Sequence, residues 1–172
     1  PDFPISLKQE LGIYGELIAL FEPLRSPITL LFRLRDASTI DSLGILGLLR
    51  RHAGSPLDSL HVALEYPQLS WGHCRLVARQ AQGEMVLEYT MERPRLRNAT
   101  PEDTDRLVEF CTLTDLISSM RNIEGMLGRD YPPLRIELPF PEPVDWDKAA
   151  PGLPCPVHFA AEAARLYYSL EL

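Results

Sequence analysis

Cys74-Arg-Leu-Val-Ala-Arg-Gln-Ala-Gln-Gly-Glu-Met-Val-Leu-Glu-Tyr-Thr-Met91 has a period of two. Cys74, Leu76 and Ala78 alternate with Arg75, Val77 and Arg79. After the polar Gln82-Gly83, Met85, Leu87, Tyr89 and Met91 alternate with Val86, Glu88, Thr90 and Glu92. Successive residues of a strand face opposite sides, so this reads as a hairpin with one core face and one wet face, on which Arg and Glu can pair across strands. Downstream, Arg93 to Asn98 is a polar link, and Thr100-Pro-Glu-Asp103 is a helix start, with negative charge at the N-terminal end of the dipole. Leu107, Phe110, Cys111, Leu113, Leu116, Ile117, Met120, Ile123 and Leu127 then form a broad apolar stripe closed by Gly128. At 1.5 Å per residue this helix is ~37 Å long and forms the spine of the core.

The rest of the chain downstream is extended. Leu134, Ile136 and Leu138 alternate with Arg135 and Glu137, Val157-His-Phe159 reads as a short strand, and Leu166, Tyr168 and Leu170 mark a last one. Eight of the sixteen prolines fall between Pro132 and Pro156, which excludes a central helix there. Upstream, Leu43-Gly-Ile-Leu-Gly-Leu-Leu49 is a compact apolar run after Asp41. Ser55-Pro-Leu-Asp58 gives an N-cap, a proline at the first position and an acid at the third, so a second helix begins at once. Its stripe is Leu57, Leu60, His61 and Leu64, and Gly44 and Gly47 let the two helices approach. Nearer the start, Ser6 and Gln9 form a capping box ahead of Leu7, Leu11, Tyr14, Ile18 and Phe21. Ile28–Arg35 is apolar and fits either helix or strand. The class is α+β: N-terminal helices, an antiparallel hairpin, one long central helix, then short strands forming a mostly antiparallel sheet, in a single domain over 1–172.

The 172 residues carry 17 Lys+Arg against 24 Asp+Glu, a net charge of −7. Residues 1–86 hold 8 basic and 9 acidic groups, and residues 87–172 hold 9 and 15. Nucleic-acid affinity comes mainly from cations displacing counterions, so direct contact with DNA or RNA is not expected of this chain. No apolar run approaches the ~18 residues of a membrane span. Cys74, Cys111 and Cys155 lie far apart and are odd in number, which favours reduced thiols and a cytoplasmic setting. The chain starts without Met, as a trimmed piece would.

The search for catalytic chemistry finds no phosphate loop, no Gly-x-Ser-x-Gly elbow and no His-Glu-x-x-His. Catalytic residues, cofactors and a metal are therefore not expected. His73-Cys74 and Cys155-Pro-Val-His158 do have the donor set of a structural zinc site. However, His73 and Cys74 are adjacent on a strand and point to opposite faces, so one tetrahedral centre would need a bulge. The plain reading makes both cysteines small core residues.

Three stretches together resemble a known family: Leu43-Gly-Ile-Leu-Gly-Leu-Leu through Ser55-Pro-Leu-Asp-Ser-Leu to Leu64-Glu-Tyr66; Met126-Leu-Gly-Arg-Asp-Tyr-Pro-Pro-Leu-Arg-Ile-Glu-Leu-Pro-Phe-Pro-Glu-Pro143; and Cys155-Pro-Val-His-Phe159 with Leu166-Tyr-Tyr168. Their order and spacing are similar to the N-terminal effector-sensing domain of AraC/XylS-type bacterial transcription regulators, in the subgroup labelled arabinose-binding. The similarity runs from about Ile28 onward. Two positions depart from it: Leu153-Pro154 stands where relatives commonly have Phe-Gly, and Ala163-Ala164 where they often have an Asn. The resemblance implies an isolated, non-enzymatic regulatory domain that senses an unknown small-molecule effector and forms a homodimer. DNA would be bound only through a missing C-terminal helix-turn-helix part.

A pocket for the effector is expected between the Asp103–Leu127 helix, the hairpin and the Leu43–Tyr66 helices. Trp71, Tyr89 and Phe110 would be its walls and His73 a polar contact, with His61 and Arg33 as further orienting groups. The long helix offers a dimer seam, because its stripe is wider than one neighbour needs. Two other readings stay open on the residues alone: a protein-docking module using Met120 and Ile123, and a metal- or thiol-dependent enzyme built on His73, Cys74, Cys155 and His158.

Overall fold

The structure, a computed structural model, describes residues 16, 44–66, 74–91, 100–127, 131–144, 146–150 and 153–170. The helix expected over Ser6–Phe21 (Glu16 apart, which is helical) and the Ile28–Arg35 segment lie outside these residues. The described elements are α1 (Gly44–Arg51), α2 (Pro56–Glu65), β1 (Cys74–Ala81), β2 (Glu84–Met91), α3 (Pro101–Leu127), β3 (Arg135–Glu137), α4 (Trp146–Ala149), β4 (Val157–His158) and β5 (Ala164–Ser169). This is the α+β arrangement expected, with the long helix between the hairpin and the short strands.

Gln82 and Gly83 join β1 to β2 with φ of 51° and 81°. Two consecutive left-handed residues make a type I′ turn, whose twist matches that of the strands it connects. The described strands form one sheet in the order β1-β2-β5-β3-β4. All its pairings are antiparallel except β3 with β4. That pair is parallel because the chain leaves Glu137, passes through α4 and returns in the same direction, as parallel neighbours require.

Register sorts the residues into two faces. Ala78, Leu87, Leu166, Ile136 and Val157 form one row across all five strands. With Leu76, Met85, Tyr89, Ala164 and Tyr168 they form the face that packs with α3 into one core. The helix stripe read from the sequence is buried throughout except Leu127, which packs at the edge of the core. Thr112, Asn122 and Glu124 are buried as well, and no residue from Leu107 to Glu124 is fully exposed. The apolar stripe is therefore used up inside the domain, and α3 does not present the free seam, or the Met120–Ile123 docking face, expected from its width.

The opposite face is a ladder of ion pairs. Arg165 donates from Nε to Glu88 at 2.9 Å and from Nη1 to Glu137 at 3.2 Å, each Glu lying beside it in register. Arg79 reaches Glu88 at 3.2 Å, the cross-strand pairing expected of the hairpin. Arg135 forks onto Glu84 at 2.8 and 3.0 Å and lies 3.6 Å above the Tyr167 ring, whose hydroxyl donates to Glu137 at 2.8 Å.

Two local expectations need correction. Leu134 is exposed although its register neighbour Tyr168 is in the core; Tyr131 stacks on Tyr168 there, with ring centres 5.7 Å apart. On α2, Ser59 and Leu60 are buried and His61 is exposed. The buried side is centred one residue earlier than the stripe predicted, because Ser59 is drawn inward by a bond described below. Ser55 caps α2 as read, accepting from the Asp58 N–H at 3.1 Å.

Candidate functional site

Among the described residues, a buried cation lies where α1, α2, β2 and the end of α3 meet. On α1, Gly47 and Arg50 are buried while Leu48 and Leu49 are exposed. Arg50 occupies the i+3 position from Gly47 and so enters the interior with the core-facing side of its helix. Its residue is only 7% exposed. Nε donates to Ser59 Oγ on α2 at 3.2 Å, and Nη2 points at Met126 Sδ, 4.0 Å away in the last turn of α3.

No carboxylate pairs with Arg50 among the described residues. Burial pushes the guanidinium pKa down, opposed by the neighbouring Tyr89 hydroxyl. A guanidinium remains charged in proteins whatever its surroundings, so the fold holds a cation in its interior against one hydroxyl and one thioether. The carbonyls at the C-terminal end of α1 offset part of this, since Arg50 lies in the last turn. One turn before Met126, Asn122 is buried and its Oδ1 has no hydrogen-bond partner among the described residues.

Of the residues singled out from the sequence, Tyr89 is buried on the core face of β2 and acts electrostatically on Arg50. Phe110 is buried in the first half of α3. Sixteen residues separate it from Met126, ~24 Å along a helix, so the structure does not bring Phe110 to Arg50. Trp71, His73 and Arg33 lie outside the described residues. His61 is exposed on α2 and does not face the interior. Arg50 was missed because an arginine near a helix C-terminus ordinarily reads as a solvated charge. The available signal was its spacing: Leu43, Leu46, Gly47 and Arg50 lie at i, i+3, i+4 and i+7, a core stripe ending in a cation.

The Cys/His constellation is taken apart by the topology. Cys74 starts β1, while Cys155 and His158 belong to the β4 region at the other end of the strand order. Four strand spacings make ~19 Å, so no single centre can draw on both. Among the described residues no group of three or more His, Cys, Asp or Glu could hold a metal ion. Neither Cys111 nor Cys155 is in a disulfide, and no described helix is long and apolar enough to cross a membrane.

Comparison with known proteins places this geometry in context. The family model described as "Arabinose-binding domain of AraC transcription regulator, N-term" matches residues 24–172. Among solved structures, the chain is similar to the transcriptional regulator CdpR from Pseudomonas aeruginosa, with a TM-score of 0.65 at 15% identity. The match covers 99% of this chain and 56% of that one, so the likeness concerns the fold and a little over half of the larger protein. No curated protein matches the chain.

Proposed function

Since the chain belongs to the arabinose-binding N-terminal domains of AraC transcription regulators, we propose that it is the effector-sensing, non-enzymatic part of a cytoplasmic DNA-binding regulator. The observation that carries this reading is the family match over residues 24–172. The acidic balance, with 24 Asp+Glu against 17 Lys+Arg, supports the same division of labour: phosphate contacts would fall to a basic helix-turn-helix region elsewhere in the polypeptide. A small molecule bound at the junction of α1, α2, β2 and α3 would favour one arrangement of the domain over another. The attached DNA-binding region would be biased by that difference in affinity. Tyr89, with Trp71 ahead of β1, would supply walls for the ligand, and His73 a polar contact. Self-association into a homodimer belongs to the same reading.

The test uses the product of the whole gene. That protein should retard its own promoter DNA in a gel, in a manner altered by a small-molecule fraction of the cell, whereas the 172-residue chain alone should not retard it. Retardation by the 172-residue chain, or none by the whole protein with or without small molecules, overturns the proposal. Light scattering on the whole protein should give the mass of two copies, and a monomer removes the dimer.

A further inference from the structure

We infer that Arg50 anchors a small organic monocarboxylate whose apolar remainder lies against Tyr89, Leu60 and Met126. The inference names the ligand class for the sensing role proposed above and depends on that role only for its regulatory meaning.

The argument begins with unused donors. A guanidinium has five N–H groups in a planar fork. In Arg50, Nε is taken by Ser59 and one N–H of Nη2 faces the Met126 sulfur. Three are left without a partner among the described residues. A thioether is a weak acceptor, and an unpaired buried cation is among the most unfavourable groups a fold can keep. The α1 carbonyls temper the charge but fill none of these N–H groups. A carboxylate matches the fork with two parallel bonds and neutralises it with a single charge.

The surroundings select further. Arg50 is the only buried cation among the described residues, so a monoanion balances it and a phosphate dianion does not. Tyr89 and Leu60 are buried in the core and Met126 packs against it, which suits an aliphatic or aryl group. Met126 is unbranched and adaptable, so its sulfur can yield the place beside Nη2 to a carboxylate oxygen. Ligand binding would in this way be felt at the end of α3.

Thermal melting of the 172-residue chain tests this with sodium acetate, hexanoate and 3-phenylpropanoate, the matching primary amides, and potassium phosphate, at constant ionic strength. Hexanoate or 3-phenylpropanoate should raise Tm saturably by about 4 °C, with no rise from the amides and less from phosphate. Arg50→Met should abolish the rise and melt, without ligand, at or above the wild-type temperature, because a buried unpaired charge has been removed. Arg50→Lys keeps the charge and loses the fork, so its apparent Kd should weaken about tenfold; it also serves if Arg50→Met fails to fold. The inference is overturned if no carboxylate raises Tm, if the amides or phosphate do as well, if Arg50→Met keeps the rise or Arg50→Lys keeps the affinity. It is likewise overturned if Arg50→Met folds but melts well below wild type with no ligand present. Should hexanoate bind here while promoter retardation by the whole protein ignores every carboxylate, the regulatory reading fails and the site stands. Should retardation respond to a compound that Arg50→Met still binds, the site fails and the regulatory reading stands.

Discussion

Leu166 sits at the centre of the row that crosses all five strands, fully buried between Leu87 and Ile136. Truncating it leaves a void that its two buried strand neighbours cannot readily close. Leu166→Ala should therefore lower stability by about 2–5 kcal/mol in chemical denaturation, and a loss below 1 kcal/mol would mean the core is looser than the register implies. On the other face the carboxylates set the pH response. Hydrogen bonds from Arg135 and Arg165 hold Glu84 and Glu88 below the ordinary carboxylate range. Stability from a depressed carboxylate is present above the unfolded value of about 4.3 and lost as pH falls through the folded one. Glu88→Gln should thus be less stable than wild type at pH 7 and converge with it towards pH 3. Glu109 on α3 has the opposite sign, because burial raises its pKa and Arg106 only partly opposes this. A raised carboxylate contributes stability at low pH that is lost as pH rises through the folded value. Glu109→Gln should then be the more stable protein at pH 7, with the difference vanishing in acid; parallel pH curves for either variant would contradict the assignment.

At the scale of elements, what was readable followed from period. The stripe from Leu107 to Ile123 has the helical repeat and is buried as a unit, and the hairpin alternation gave the faces of β1 and β2. Ser55 with Pro56 and Asp58 fixed the start of α2 because capping is local chemistry. The three-residue β3 and two-residue β4 are too short for their own period to orient them, and the parallel sense of that pair depends on how far the intervening chain travels. Leu134 was misread for a related reason: alternation assigns a face, but Tyr131, three residues earlier, decides what covers Tyr168. Within α3 one position invites improvement. Gly125 is exposed, helical, and has open space where a Cβ would stand. Gly125→Ala should raise stability by about 0.5–1 kcal/mol, read as a shift in denaturation midpoint; a decrease would show that the glycine serves something other than the helix.

Across the whole molecule, the sheet has a greasy side and a salted side, and the latter sets three arginines against three glutamates. Those six groups cancel in charge, so the acidic excess of the domain resides elsewhere. Composition could announce that excess but not its placement, just as it counted arginines without revealing that one of them enters the core. Arg50 came into view only once two helices, a strand and a helix end were assembled around it, since its neighbours Ser59, Tyr89 and Met126 are separated by up to 76 residues of chain. The 27 residues of α3 contain a proline only at their start and a glycine only at position 125. Between those points nothing interrupts the helix, and its buried stripe from Leu107 to Ile123 ties it to the rest. Amide protons from Leu107 to Ile123 should accordingly exchange with solvent together, as slowly as the domain unfolds, while those beyond Gly125 exchange much sooner. The spine of the domain thus meets its single glycine one residue before the methionine whose sulfur rests on the buried arginine.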